Sequence, residues 1–356
     1  MNLKYLYIVS AFVLLFGIIF YMEERPENIT ETSYWKKNWK TILYLPPTED
    51  WCGGEGKRFM REKVKFSSID TLWKIQPLYT QSFSNEGKDY FYEANYNVKN
   101  SFSELSALKT KIIEKATDQV KSSYCLDESG PKFILSDDSS FDPDSKENKI
   151  LIFGKKITTD EGRVAVLVGE EVIAPFNYII EKFRTTNLAF RERSLVPSSS
   201  GYLKSIEFRG QGNLVQVQNV AEKNQYGNYI NKWSRTTQER AVISPDLGNQ
   251  WDGIIKGLRA DLYLDEPGAP TSSSINTKDP EANIWIEPSE GRKIRISFFG
   301  LVQGSSENYR IVQREISPGF LESPILIKED SFLKLIESME RVKNASRYER
   351  PSQKIQ

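Results

Sequence analysis

The sequence predicts an α+β protein: an N-terminal transmembrane helix followed by two tandem repeats of antiparallel sheet with helices packed on one face. Three observations predict it. An uncharged apolar run opens the chain at residues 5–22. An apolar strand with a basic start and a Phe-Gly end occurs twice, at residues 149–154 (KILIFG) and 293–300 (KIRISFFG). After each copy come another strand-like run and then apolar residues at helical spacing.

The first element is the anchor. Residues 5–22 (YLYIVSAFVLLFGIIFYM) carry no charge. At 1.5 Å per residue they span about 27 Å, close to a bilayer core. Tyr5, Tyr7, Phe20 and Tyr21 stand at the two ends, the depths aromatic rings prefer. A cleaved signal peptide has a shorter apolar core and small residues at its cleavage site, whereas Phe20-Tyr21-Met22-Glu23-Glu24 follows here. No cysteine near the run offers a lipoprotein anchor. A four-residue tail with Lys4 before the helix is the form of a signal anchor whose bulk is translocated, although Arg25, Lys36, Lys37 and Lys40 beyond it complicate the positive-inside count. The expected location is therefore the inner membrane, single-pass, with the bulk of the chain periplasmic.

Residues 23–60 read as a juxtamembrane lead-in. As a helix, residues 34–44 (YWKKNWKTILY) place Trp35, Trp39 and Leu43 on one stripe with Lys36, Lys37 and Lys40 beside it. Such a stripe suits a membrane-interface contact or an ordinary helix docked on the domain, and both readings stay open. Cys52 and Cys125 form one disulfide in an oxidising compartment and two thiols otherwise. Two cysteines do not make a structural zinc site.

The first repeat is read at 61–197 and the second at 198–345, with a disordered tail at 346–356. Residues 133–135 and 284–286 precede the Phe-Gly strands, and 164–168 and 309–312 follow them. Phe176, Ile179, Ile180 and Phe183 close the first copy as a helix behind Pro175. Phe332, Leu335, Ile336 and Met339 close the second, capped by Asp330 or Ser331. Upstream, Ser68-Ile69-Asp70 resembles Ser205-Ile206-Glu207. Ser101 and Glu104 suggest a capping box for a helix carrying Leu105, Leu108, Ile112 and Ala116. Its counterpart carries Ile254, Ile255, Leu258 and Leu262. Short turns between strands favour antiparallel pairing.

Composition limits function. The chain has no histidine, which removes the Ser-His-Asp and Cys-His arrangements and the usual neutral-pH base. Its 48 basic residues balance 48 acidic ones, so no global field collects nucleic acid. Asp137, Asp138, Asp142 and Asp144 fail the EF-hand pattern and read as a solvated hairpin insertion. Gly210-Gln211-Gly212 reads as a hairpin turn, since a phosphate loop needs a following helix. Glu170-Glu171 and Asp160-Glu161 read as turn residues. Tyr90, Phe91, Tyr92 and Tyr96 read as strand packing more readily than as a stacking platform. No catalytic, cofactor or metal residues are singled out.

The anchor, the tandem Phe-Gly units, the strand-then-helix endings and the link Arg191-Glu192-Arg193-Ser194-Leu195 together resemble the bacterial domain-of-unknown-function family 4340, over about residues 60–342. Its members are membrane-anchored proteins encoded beside gliding-motility-type ABC transporter components. The resemblance implies a compartment and a neighbour: a non-enzymatic, membrane-tethered accessory or scaffold of an ABC-transporter-type or envelope assembly. The alternatives are a carboxylate-based envelope glycan hydrolase, and a small-ligand or lipid binder using the cleft between repeats.

Overall fold

The computed structural model describes residues 32–347, apart from 70–71, 79–89, 159–161, 198–199, 224–228, 238–239, 267, 271–274, 305–306 and 317–318. The anchor at 5–22, Asp160-Glu161 and most of the tail lie outside the described residues. Among those described, no helix is long and apolar enough to cross a membrane.

Two antiparallel ten-stranded sheets make up the body. The strands of the first, in chain order, are β1 (Thr32–Ser33), β2 (Thr41–Leu45), β3 (Lys63–Ile69), β4 (Leu72–Leu78), β5 (Tyr92–Glu93), β6 (Lys109–Lys115), β7 (Lys132–Ser136), β8 (Lys149–Lys156), β9 (Val164–Val168) and β10 (Glu171–Ala174). The second contains β11 (Leu203–Gly210), β12 (Asn213–Lys223), β13 (Tyr229–Arg235), β14 (Ala241–Val242), β15 (Leu262–Tyr263), β16 (Ala282–Pro288), β17 (Ile294–Gln303), β18 (Asn308–Ile316), β19 (Phe320–Leu321) and β20 (Ile325–Lys328). Among the described residues the α-helices are α1 (Trp51–Gly54), α2 (Tyr96–Ser106), α3 (Asp118–Tyr124), α4 (Tyr178–Glu181), α5 (Pro245–Lys256) and α6 (Glu329–Lys343).

The duplication is a property of the topology. The first sheet runs β6-β10-β9-β8-β7-β2-β3-β4-β5, with β1 on the β6 edge. The second runs β15-β20-β18-β17-β16-β11-β12-β13-β14, with β19 on β18. These two orders correspond strand for strand and in chain order. In each copy a helix follows the fourth strand of the series, and its cap is the same device. Asn95 accepts from Val98 N–H before α2, and Ser244 accepts from Leu247 N–H before α5. The copies also share an arginine on a ring where the closing helix begins. Arg163 lies 4.3 Å from the Phe176 ring, and Arg310 lies 4.2 Å from that of Phe332.

Several sequence expectations are corrected. Residues 34–44 do not form a helix: the chain takes no regular element up to residue 40 and then enters β2, which lies between β3 and β7. Trp39 is buried, and both Trp35 and Trp39 donate their indole N–H to Leu105 O, at 2.7 and 3.3 Å. Lys37 pairs with Asp137 at 2.8 Å, while Lys36 and Lys40 face solvent. The first repeat therefore starts upstream of residue 61. Consequently Ser205-Ile206 at the start of β11 corresponds to β2, not to Ser68-Ile69 at the end of β3. The helix expected around Ser101 and Glu104 is α2, capped by Asn95 and finished at Ser106, and the residues beyond it form β6. Helix α6 starts one residue before the expected caps, with Lys328 at the N-cap position.

One apolar core runs through both repeats. It is aromatic in the first, where Tyr44, Phe66, Phe133, Phe183 and Phe190 meet with centroids 4.6–6.1 Å apart. In the second, α6 buries Phe332, Leu335, Met339 and Val342, close to the expected stripe. Gly248 of α5 lies so close to Trp233 that a Cβ would sit 2.2 Å from the indole. A smaller cluster backs each sheet at one end. Val120 and Leu126 cover Ala165 and Val172 in the first, and Phe299, Val302, Tyr309, Ile311 and Leu326 assemble in the second. Cys52 and Cys125 are bonded, with Cα atoms 5.5 Å apart, tying the α1 loop to the end of α3.

Candidate functional site

The link at residues 191–195 joins the repeats through both backbone and charge. Glu192 N–H donates to Glu93 O of β5 (2.8 Å), and Leu195 N–H donates to Leu258 O (2.9 Å). Ala260 N–H returns to Arg193 O (2.7 Å). A second crossing connects Phe91 and Ser323 through two bonds of 2.9 Å. Around these crossings sits a buried ion network. Arg314, on the inner face of β18, donates to both oxygens of Glu322 at 2.6 and 2.8 Å and pairs with Glu93 at 3.1 Å. It also donates to Ser194 O at 2.8 Å. Lys99 reaches Glu93 at 2.7 Å, and Glu322 accepts the Glu93 backbone N–H. Arg191 holds both oxygens of Asp265, at 2.5 and 2.6 Å, and stacks on Tyr92 and Tyr263, 4.4 and 4.7 Å from their centroids.

Burial sets the electrostatics here. It pushes the Glu322 carboxyl above its ordinary range against the pull of Arg314. Burial alone would lower the Arg314 guanidinium, but Glu322 and Glu93 outweigh it and hold it above its ordinary value. Tyr263 is likewise pushed up by burial and by the Glu322 charge. Every carboxylate named in this network has a cation against it, so the junction is a filled structural joint.

Open surface lies elsewhere, on the outer face of the second sheet. Strand residues alternate between faces. Because Ile206, Phe208, Ile284, Ile286, Ile294 and Ile296 point into the core, Ser205, Glu207, Arg209, Trp285, Glu287 and Arg295 point out. Pairing sets Gln216, Glu207, Trp285, Arg295 and Glu315 in one row across β12, β11, β16, β17 and β18. At strand spacing this row is about 19 Å long. It lines a groove of about 650 Å³ together with Arg209, Glu287 and Lys293. Three ion pairs fix its charged heads: Glu207–Arg209 at 2.5 Å, Arg295–Glu315 at 2.7 Å and Glu287–Lys293 at 3.2 Å. The Arg209 guanidinium lies 5.2 Å from the Trp285 ring.

The first sheet differs on its matching strands, where the row reads Lys65, Leu43, Ile134, Ile150. Leu43 and Ile134 are buried on that face, and Phe141 from the β7–β8 connection comes within 5.3 Å of Lys65. That connection contains the aspartate insertion. Asp137 is held by Lys37, and Asp138 and Asp142 cap their own turns at Ser140 and Asp144. The β16–β17 connection is short, and among the described residues nothing comparable covers the second sheet. A second cavity, about 700 Å³, adjoins the disulfide, with Trp51, Cys52, Phe59 and Ile180 on its walls. Of the cations that line it, Arg58, Lys156 and Arg184 are engaged by Glu55 and Glu181.

The remaining sequence candidates are structural. Gln211 and Gly212 take positive φ in the β11–β12 hairpin. Glu171 accepts from the Tyr34 hydroxyl at 2.6 Å. Tyr90 and Tyr92 are buried near the junction, and Tyr96 is exposed. Among the described residues, no group of three His, Cys, Asp or Glu side chains is placed to hold a metal. Sequence reading passed over Trp285 as one residue of a strand. Its signal was the alternation Ile-Trp-Ile, which sends the indole to the face opposite the core. No family model, no curated relative and no solved structure matches this chain.

Proposed function

We propose that this chain is a non-enzymatic accessory or scaffold protein, tethered by residues 5–22 to the inner membrane, with its body on the periplasmic side of an ABC-transporter-type or envelope assembly. The observation that carries the reading is the junction: backbone crossings and a buried ion network lock two sheets into one body, and the described residues leave a broad polar face of it uncovered. Such a body suits presenting a surface to a partner. The Cys52–Cys125 bond fits an oxidising compartment.

The test is affinity capture of the tagged full-length chain from detergent-solubilised membranes, with partners identified by mass spectrometry. Recovery of ABC transporter subunits is the expected result, and their absence from repeated captures counts against the proposal. Release of the intact chain by alkaline carbonate would separately remove the tether.

A further inference from the structure

We infer that the outer face of the second sheet, centred on Trp285, is a binding site for a neutral glycan. The inference is independent of the tether, and it assigns to a glycan the polar face that the proposed function leaves open to a partner. It starts from the composition of the face. The groove carries three cations, Arg209, Lys293 and Arg295, and three anions, Glu207, Glu287 and Glu315, already paired with one another. A polyanion would meet as many carboxylates as cations, and so gains little from this surface. An apolar partner would have to desolvate three ion pairs, which costs more than one indole returns. The ligand class left is polar, uncharged and rich in both donors and acceptors.

A sugar has that chemistry. Its hydroxyls donate to carboxylates and accept from guanidinium and amide groups, which alternate along the row Gln216, Glu207, Trp285, Arg295, Glu315. The C–H face of a pyranose ring is apolar and flat, and the half-buried Trp285 indole, with Arg209 beside it, is the aromatic surface such a ring packs on. Trp285 sits mid-strand on the sheet, and each charged head has its ion-pair partner beside it. The row is long enough to seat several rings end to end. The first repeat, with the same topology, has Leu43 and Ile134 buried on this face, with Phe141 of the β7–β8 connection over the neighbouring Lys65. The groove is therefore particular to the second copy.

The test uses the full-length chain in a zwitterionic detergent without a sugar headgroup. The N-acetylglucosamine tetramer, cellotetraose and maltotetraose are titrated calorimetrically. At least one should bind, Trp285→Ala should weaken that binding by about tenfold or more, and Trp285→Phe should retain most of it. A Glu207→Gln/Arg295→Gln double variant is the second probe and should also weaken binding, with its thermal midpoint near that of the parent. Absence of binding for all three sugars at millimolar concentration overturns the inference. So does unchanged binding in both Trp285→Ala and the double variant, or a dimer that Trp285→Ala dissociates, which would make a second copy the occupant.

Discussion

Replacing Arg314 with Met removes the cation at the centre of the junction while filling most of its stem volume, so little cavity cost enters. Two charge-assisted bonds to Glu322, at 2.6 and 2.8 Å, and one to Ser194 O are lost. Glu93 keeps Lys99, but Glu322 is left buried with only the Glu93 N–H against it. Breaking one side of a buried pair typically costs about 3–5 kcal/mol, and Arg314→Met is expected to cost about 4 kcal/mol near pH 8. The sign of the pH dependence follows from Glu322. Its carboxyl is already lifted by burial and rises further without Arg314. A carboxyl whose folded value exceeds its unfolded value of about 4.3 supports folding at low pH and loses that support as pH rises through the folded value. The defect should therefore be smallest near about pH 5 and grow towards about pH 8. Urea denaturation is the suitable assay, because it leaves ion pairs unscreened. Trp39 and Trp51 report the first repeat, and Trp233 and Trp251 the second. The variant should split a shared transition into two, and adding Glu322→Gln should recover much of the loss. A loss below about 1 kcal/mol near pH 8, or one of equal size at both pH values, would refute the reasoning about the junction.

Further outcomes are expected for the disulfide, for two glycines and for the lead-in. Replacing Cys52 and Cys125 with Ser opens a covalent loop of sequence separation 73 and should lower stability by about 4 kcal/mol, read as a denaturation midpoint matched by the reduced parent. Gly154→Ala sets a Cβ 2.3 Å from Tyr124 O and should cost about 1–3 kcal/mol. Gly300→Ala, whose nearest neighbour is a flexible Glu281 carboxylate at 3.9 Å, should leave the thermal midpoint nearly unchanged. Trp39→Ala should cost about 3–5 kcal/mol as a core truncation, whereas Lys36→Ala should be silent in the same unfolding assay.

The two Phe-Gly strands were legible as a pair, and so were their neighbours at 133–135, 164–168, 284–286 and 309–312. The closing stripe Phe332, Leu335, Met339 was legible too, because it depends only on spacing along one helix. Residues 41–45 (TILYL) were not. A short apolar run fits a helix or a strand equally, and what decides is the neighbour on either side. Here β3 and β7 supply both, and β7 is about 90 residues away. The helix read through Ile112 failed for the same reason: β10 offers an edge that residues 109–115 complete.

By itself the sequence determined the local periodicities, the duplication, the hairpin turn at Gln211-Gly212 and the absence of any histidine chemistry. Only the tertiary structure decided the sheet order, the pairing of Arg314 with Glu322 and Glu93, and which strand face stayed open around Trp285. The reason is physical. Periodicity is set by bonds along one segment, whereas burial of a charge or exposure of an indole is set by segments that meet only when distant edges pair.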